Sequence, residues 1–305
     1  MGMAEGPIGY LGPEGSFSHE AVRQLGGSAT PVATIPDLLA QVAAGTLEHA
    51  LVPLENAIEG TVSATIDGLV FDHDLYITRE VVRPIHLHLL ARPGRDLDQI
   101  RVVYSYPHAL AQCRGFLASL DGIDVVPTTS TSEAARLVAS SAEPWAAVGS
   151  ALAGELFALA VVAGDVEDHA GNATRFVVVG RDEVAAPTGH DRTTIVCFQN
   201  ADHPGSLYGI LGRFAARDIN LTKLESRPTK RGLGDYCFVI EFEGHIGDDL
   251  VADCLADLQA HLAHVKFLGS YPVTGEAASS RRAAVSAARR SADRWIAGLR
   301  ARVVG

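Results

Sequence analysis

Residues 75–90 read Leu75-Tyr76-Ile77-Thr78-Arg79-Glu80-Val81-Val82-Arg83-Pro84-Ile85-His86-Leu87-His88-Leu89-Leu90. The run is rich in β-branched and apolar residues but about three times the usual strand length, and Pro84 interrupts it. A bent crossover joining two α/β lobes accounts for both features and predicts a cleft between the lobes. Working outward, short apolar runs alternate with helical patterns from Ile8 to about Gly180. Strands are expected at Ile8–Leu11, Thr30–Thr34, His49–Val52, Arg101–Ser105, Ile123–Thr128, Ala146–Gly149 and Arg175–Val179. Helices are expected near Ser16–Leu25, Asp37–Gly45, Thr61–Phe71, Ala109–Leu120, Ser132–Ser141 and Ala151–Leu156, several behind a capping Ser, Thr or Asp. Such alternation predicts parallel sheets covered by helices. The region 7–181 is therefore one two-lobed domain, with crossovers near 75–90 and 157–175.

A linker over 182–191, marked by Pro187 and Gly189, leads to a second domain over 192–272. There the order is strand Thr193–Gln199, helix Ser206–Ala216, strand Leu221–Arg227, strand Asp235–Phe242, helix Asp248–Leu262, strand Val265–Ser270. This βαββαβ order is ferredoxin-like, with Gly232 and Gly234 at the central hairpin.

The 305 residues carry a net charge of −11, and 47% are hydrophobic. The arm 273–305 holds seven arginines against Glu276 and Asp293, a net of +5, so the remainder carries −16. Trp295, Leu299 and Val303 recur at i, i+4 and i+8, which predicts an amphipathic helix. The arm either docks on the acidic body or a partner subunit, or is a frayed end; nucleic-acid or membrane binding is the least favoured reading. The acidic balance speaks against nucleic acid. No apolar run approaches ~18 residues, and the first residues have no basic or apolar leader and no myristoylation signal. Cys113, Cys197, Cys237 and Cys254 have no paired spacing, which fits a reducing compartment. A soluble cytoplasmic protein is the expectation.

In open α/β sheets ligands bind beyond the carboxyl ends of the strands. Just past each expected strand stand small polar residues: 12–18 including Ser16, Pro53-Leu54-Glu55-Asn56, Ser105 with Gln112 beyond, 128–132, Gly149-Ser150, and 165–172 leading to Thr174-Arg175-Phe176. Donors at helix starts suit anionic oxygens. Taken singly these are caps and turns; taken together they predict a cleft for a small carboxylate, with Ser16 and Ser150 among its donors. No phosphate-binding G-x-x-x-x-G-K or dinucleotide G-x-G-x-x-G motif is present. His86 and His88 share a face but show no third ligand, so no metal is expected. His261 and His264 read as solvated or dipole-facing, Asp72-His73-Asp74 does not converge as a triad, and 165–168 lacks the rest of a calcium loop.

These residues resemble a known family. Gly9-Tyr10-Leu11-Gly12-Pro13-Glu14-Gly15-Ser16-Phe17-Ser18, Val52-Pro53-Leu54-Glu55-Asn56 with Gly60-Thr61-Val62, and Asn172-Ala173-Thr174-Arg175-Phe176 are similar to motifs of the prephenate dehydratases. The second domain resembles an ACT domain through His203-Pro204-Gly205-Ser206-Leu207 and Glu225-Ser226-Arg227-Pro228. The ordered set spans Pro7 to Pro272 and is far more specific than any one motif. The resemblance implies a lobed fold like periplasmic binding proteins and a lyase converting prephenate to phenylpyruvate, carbon dioxide and water. It implies Thr174 acting on the departing hydroxyl, with Asn56, Ser105 and Gln112 completing the donor network, and Phe176 as an apolar wall. Arg175 is either a carboxylate partner or held by a nearby acid; Glu55 either orients Asn56 or is structural. Aromatisation drives the reaction, so no cofactor is expected. The resemblance further implies phenylalanine as an effector between two ACT units of a homodimer or dimer of dimers, at Gly205, Ser206, Leu207, Asn220, Leu221, Glu225, Ser226, Arg227 and Pro228. Ser206 and Tyr208 depart from the usual Ala and Val, and Thr129 stands where some relatives carry an acid. No chorismate mutase-like segment precedes the domain, so a single activity is expected. Two alternatives remain: an arogenate dehydratase, and a non-catalytic amino-acid sensor on the same fold.

Overall fold

The computed structural model describes residues 7–201, 203–230, 232, 234–274, 291, 294–298 and 300–302. The chain forms two compact units. One comprises the chain up to Leu75 together with Glu80–Asp182; the other comprises Tyr76–Arg79 and the chain from Glu183 onward.

The first unit contains β1 (Ile8–Leu11), α1 (Phe17–Arg23), β2 (Ala29–Val32), α2 (Ile35–Ala43), β3 (His49–Asn56), β4 (Gly60–Thr61), α3 (Ser63–Asp67) and, from Glu80 on, β5 (Tyr76–Pro84), whose first four residues belong to the other unit. It continues with β6 (His88–Ala91), β7 (Val102–Ser105), α4 (Pro107–Gln112), α5 (Arg114–Ala118), β8 (Asp124–Pro127), α6 (Thr131–Ala139), β9 (Trp145–Gly149), α7 (Ala151–Leu156), β10 (Ala160–Ala163) and β11 (Ala173–Gly180). One sheet runs β2-β1-β3-β11-β5 with β4 on β3, and a second runs β10-β6-β9-β7-β8. The chain leaves the first sheet after Pro84 and enters the second at His88. It returns between Ala163 and Ala173, and the two crossovers are tied by Val166 N–H to Leu87 O (2.8 Å) and Ile85 N–H to Asn172 O (2.9 Å).

The sheets are mixed, which corrects the expectation of parallel sheets. β1, β2 and β3 pair in parallel, as do β7, β8 and β9, but β11 is antiparallel to β3, and β6 antiparallel to β9 and β10. A strand that arrives by an inter-lobe crossover need not wind through a helix, so nothing holds it parallel. Cores form where strand faces meet helices. Ile8, Tyr10 and Leu51 pack with Ala21 and Val22 in one lobe. Leu89 and Val103 pack with Cys113 and Leu117 on one face of the second sheet, and Leu90 and Ala147 with Ala134 and Val138 on the other.

Several expected boundaries move. β3 runs on to Asn56 through Pro53; the register of β11 shifts opposite it, between Arg175 and Phe176, where a missing N–H is tolerated. The helix expected over 61–71 is α3 followed by a wider turn at Gly68–Asp72, and that over 109–120 starts at Pro107 and breaks at Cys113. β10 escapes sequence reading because four Ala and Val residues carry no period.

The second unit holds β12 (Asp191–Phe198), α8 (Ser206–Ala215), β13 (Leu221–Pro228), β14 (Tyr236–Glu243), α9 (Asp249–His261) and β15 (His264–Pro272). Its sheet runs β13-β14-β12-β15, antiparallel at every pairing, the ferredoxin-like arrangement. Ile195, Cys197, Ile240 and Phe242 bury against Ile210, Phe214, Cys254 and Leu258 of the two helices. In the basic arm, 294–298 and 300 are helical; Leu299, Val303 and most of the rest lie outside the described residues.

All four cysteines are free and buried. Burial pushes the Cys113 and Cys197 thiols up to about 12 and that of Cys254 to about 11. Because the thiolate is the reactive form, a colorimetric disulfide reagent at pH 8 is expected to label the native protein far more slowly than the urea-unfolded chain, which gives four equivalents. Rapid labelling of any thiol in the native protein contradicts this packing.

Candidate active site

A cleft of about 1210 Å³ opens at the ends of the strands of the first unit. Leu11, Phe17, Val62, Ile85 and Leu87 supply an apolar wall, and Asn56, Gln112, Asn172, Thr174 and 129–132 supply polar groups. The volume slightly exceeds the ~300–1,000 Å³ usual for small-molecule sites.

The pairing of β3 with β11 places Asn56 opposite Thr174. Asn56 Oδ1 accepts from the N–H groups of Ile58 (2.9 Å) and Glu59 (3.0 Å), which turns its Nδ2 toward Thr174 Oγ1 (3.0 Å) and Asn172 Oδ1 (2.9 Å). Asn172 Nδ2 in turn donates to Gln112 Oε1 at 3.0 Å. Thr174 is only 9% exposed. With its oxygen accepting from Asn56, its own hydrogen is available to a ligand in the cleft.

Three calls of the sequence reading, Asn56, Gln112 and Thr174, thus converge. The others do not reach the cleft wall. Ser105 is fully buried and its hydroxyl donates to Val148 O at 2.6 Å, so its hydrogen is committed within the second lobe. Ser16 caps α1 and donates to Leu11 O, and Ser150 caps α7 and donates to Gly15 O. Arg175 bridges Glu55 (2.9 Å) and Glu80 (3.3 Å), the arrangement that the structural reading of both residues expects. Phe176 is 1% exposed, packed in the first lobe's core with Tyr10 and Val178, so it is not the apolar wall of the cleft.

Sequence reasoning missed Asn172 as a site residue, although it opens the run Asn172-Ala173-Thr174-Arg175-Phe176 just ahead of β11. It also missed Glu59, three residues after Asn56, and His108, in the first turn of α4. Both line the cleft, with His108 Nδ1 2.6 Å from Glu59 Oε2. The cleft's other charges are Glu14 and the neighbours Glu133 and Arg136 (3.8 Å). The N-terminus of α6, capped by Ser130 accepting from Glu133 N–H, also faces it.

The loop 12–16 reaches the second lobe, where the Ser132 hydroxyl donates to Glu14 O. Gly15 has φ +81°, and a Cβ there would lie 2.7 Å from Ser132 Oγ and 3.3 Å from Ala153 Cα. Its N–H donates to His19 Nδ1 at 3.1 Å, and burial, partly opposed by Glu14, lowers the His19 pKa, favouring the neutral ring that this bond requires. Gly15→Ala is expected to destabilise the unit by about 2 kcal/mol through strain and overpacking, read by chemical unfolding.

Outside the cleft, the loop after β10 brings Asp165 and Glu167 to His86, each 3.2 Å from its Nδ1. The sequence had shown no third group there. The ring nitrogen and the two carboxylates, all within 4.8 Å of one another, form a polar cluster exposed at His86 and Asp165.

In the second unit, Gly205 takes a left-handed conformation (φ 91°) ahead of α8, and Ser206 Oγ donates to His203 O. Leu207 lies in the first turn, and Tyr208 is 80% exposed. β12 and β13 are both antiparallel to β14 and hence parallel to each other, so Asn220 and Leu221 lie at the opposite end of the fold from Gly205–Leu207. Asn220 Nδ2 donates to Glu243 at that end, while Glu225, Ser226, Arg227 and Pro228 approach the other. Within one copy, these effector calls divide between two ends about 15 Å apart, the length of α8.

Residues 8–184 match a family model described as prephenate dehydratase, and 193–260 match one for the ACT domain. Among curated proteins, a prephenate dehydratase of Mycobacterium tuberculosis is 39% identical over 96% of this chain and 94% of its own length, and one of Amycolatopsis methanolica 40% over 96% and 97%. A crystal structure of prephenate dehydratase from Arthrobacter aurescens, in complex with L-Phe, superposes with TM-score 0.86 at 36% identity, covering 96% of this chain and 99% of that one. GqqA, described as a novel type of quorum quenching acylase, superposes at 0.80 with 32% identity, over 88% and 98%. The Asn56–Thr174 pairing sits within the first matched region, and the curated relatives align along nearly their whole length: this chain belongs to the prephenate dehydratase family.

Proposed function

We propose that the protein converts prephenate to phenylpyruvate, with Thr174 acting on the departing hydroxyl. The observation that carries this is the Asn56 amide donating to Thr174 Oγ1 at 3.0 Å at the wall of the cleft. In the reaction the bond from the ring to its carboxylate breaks, carbon dioxide departs and the electron pair enters the ring. The C4 oxygen leaves as hydroxide, hydrogen-bonded as it goes, and takes a proton from solvent to become water. The Thr174 hydrogen donates to that leaving oxygen, and the bond from Asn56 polarises the hydroxyl and makes it a better donor. The apolar wall at Phe17, Ile85 and Leu87 suits a carboxylate about to become carbon dioxide, because desolvation favours the loss of charge. The substrate is a dianion and the protein carries −11. Positive potential is therefore local, from Arg136 and the amide end of α6. An acylase nucleophile needs an adjacent base; Thr174 Oγ1 accepts from an amide instead, which favours the dehydratase reading.

Incubation with prephenate and, separately, with arogenate tests this, following phenylpyruvate and phenylalanine. Phenylpyruvate from prephenate is expected. Phenylalanine from arogenate alone makes the protein an arogenate dehydratase, and inertness to both leaves the sensor reading.

The ACT unit binds phenylalanine across a homodimer in this proposal. Its support is the division of the effector residues between opposite ends of one copy, which a two-fold partner beside β13 reunites. β13 is an edge strand with Leu224 exposed, open to such pairing. The complex with L-Phe seen in the Arthrobacter structure supports the ligand. Titration with phenylalanine is expected to lower activity and to shift the oligomer distribution toward the larger species; no effect on either removes the proposal. Four reduced, buried thiols suit the cytoplasm.

A further inference from the structure

Four side chains at the cleft close a ring of hydrogen bonds. Glu59 N–H donates to Asn56 Oδ1 (3.0 Å), Asn56 Nδ2 to Asn172 Oδ1 (2.9 Å), Asn172 Nδ2 to Gln112 Oε1 (3.0 Å), and Gln112 Nε2 to Glu59 Oε1 (3.4 Å). The ring has one direction only. Backbone N–H groups are pure donors, so the Asn56 oxygen must face Ile58 and Glu59; an ionised carboxylate is a pure acceptor, so Gln112 must present its nitrogen to Glu59. Glu59 therefore closes both ends, through its own N–H and its own carboxylate. The ring also joins the lobes: Asn56 ends β3 of the first sheet with Glu59 just beyond it, and Gln112 ends α4 beside the second. The second carboxylate oxygen of Glu59 lies 2.6 Å from Nδ1 of His108, also on α4. Thr174 hangs from the ring at Asn56 Nδ2.

We propose that Glu59, clamped across the cleft by His108, is a positioning residue: it orients the Gln112 amide and, through Asn172 and Asn56, the hydroxyl of Thr174. The inference rests on the dehydratase reading above. Neither partner of the Glu59–His108 pair is buried, so as an isolated ion pair it contributes little to stability. Its effect is on orientation. Without a terminal acceptor, Gln112 is free to turn its amide over, and the Asn172 nitrogen then meets another donor.

The experiment is a double-mutant cycle on turnover of prephenate, with Glu59→Ala, Gln112→Ala and the pair, plus Glu59→Gln. Glu59→Ala is expected to lower kcat about 10-fold while KM stays within about 2-fold and the thermal midpoint is unchanged. In the Gln112→Ala background the same substitution is expected to cost less than 2-fold. Glu59→Gln keeps an oxygen that accepts from Gln112, and is expected to recover most of the activity lost in the alanine variant. Multiplying effects in the pair, a wild-type kcat in Glu59→Ala, or a glutamine variant as impaired as alanine each overturn the inference. Should Glu59→Ala fail to fold, Glu59→Leu takes its place in the cycle. Inertness of the wild-type protein toward prephenate overturns the dehydratase reading instead, and so the two failures are told apart.

Discussion

Thr174→Ala is expected to lower kcat for prephenate by at least about 10²-fold, with KM near the wild-type value. Losing a hydrogen-bond donor aimed at charge that develops in the transition state costs about 10²–10³-fold, and in the proposed reaction this hydroxyl is that donor. Its oxygen accepts from Asn56 at 3.0 Å, which directs the hydrogen away from the amide and toward the cleft. The bond from hydroxyl to substrate strengthens as the C4 oxygen gains charge, so its loss falls on the transition state and not on binding. Thr174→Ser keeps the hydroxyl but loses the methyl group that restricts its rotamer, and is expected to fall between the two. Asn56→Ala removes the polarising donor, and the Asn56→Ala/Thr174→Ala pair is expected to be no slower than Thr174→Ala alone. Release of phenylpyruvate under saturating prephenate measures all four. Wild-type turnover in Thr174→Ala removes the residue from the mechanism.

The two-lobed and ferredoxin-like folds were legible because their signals are local and periodic. Pro84 in an overlong apolar run announces a crossover, and Ser130 and Ser150 before apolar helical runs announce α6 and α7. Strand direction was not legible. Whether β11 pairs with β3 in parallel or antiparallel is settled by the route of the chain between lobes, which leaves no mark on β11 itself. The site divided in the same way. Asn56 and Thr174 stand in two of the motifs and Gln112 beyond a strand end, and the structure brings the three together. Ser105, Ser16 and Ser150 occupy equally suggestive strand ends, yet each gives its hydrogen to a backbone carbonyl. A hydroxyl that caps and one that catalyses look alike in sequence; what separates them is a third residue brought from far along the chain. Gln112 reaches Asn172 across 60 residues, and His108 reaches Glu59 across 49.

Arg175→Met is expected to destabilise the catalytic unit by about 3–5 kcal/mol and leave substrate affinity in the surviving folded protein little changed. The guanidinium spans two carboxylates, Glu55 at 2.9 Å and Glu80 at 3.3 Å, and its side chain is 11% exposed. Glu55 is partly open to water and rehydrates when the arginine is lost. Glu80, whose side chain is 2% exposed on β5, keeps no comparable access to solvent. Removing one partner of a buried ion pair is costly, typically by about 3–5 kcal/mol. At about 2–4 °C per kcal/mol for a unit of this size, the thermal midpoint is expected to drop by about 10 °C. Arg175→Lys keeps a charge but no fork able to span both acids, so it is expected to recover only part of the loss. Arg175→Met/Glu80→Leu removes the buried carboxylate along with the arginine, and is expected to be more stable than Arg175→Met alone. A carboxylate-binding arginine gives the opposite pattern: an unchanged midpoint, a KM for prephenate raised by an order of magnitude or more, and no relief from Glu80→Leu. Thermal unfolding and steady-state kinetics on the same three variants therefore separate an arginine that holds β5, β11 and β3 together from one that holds the substrate.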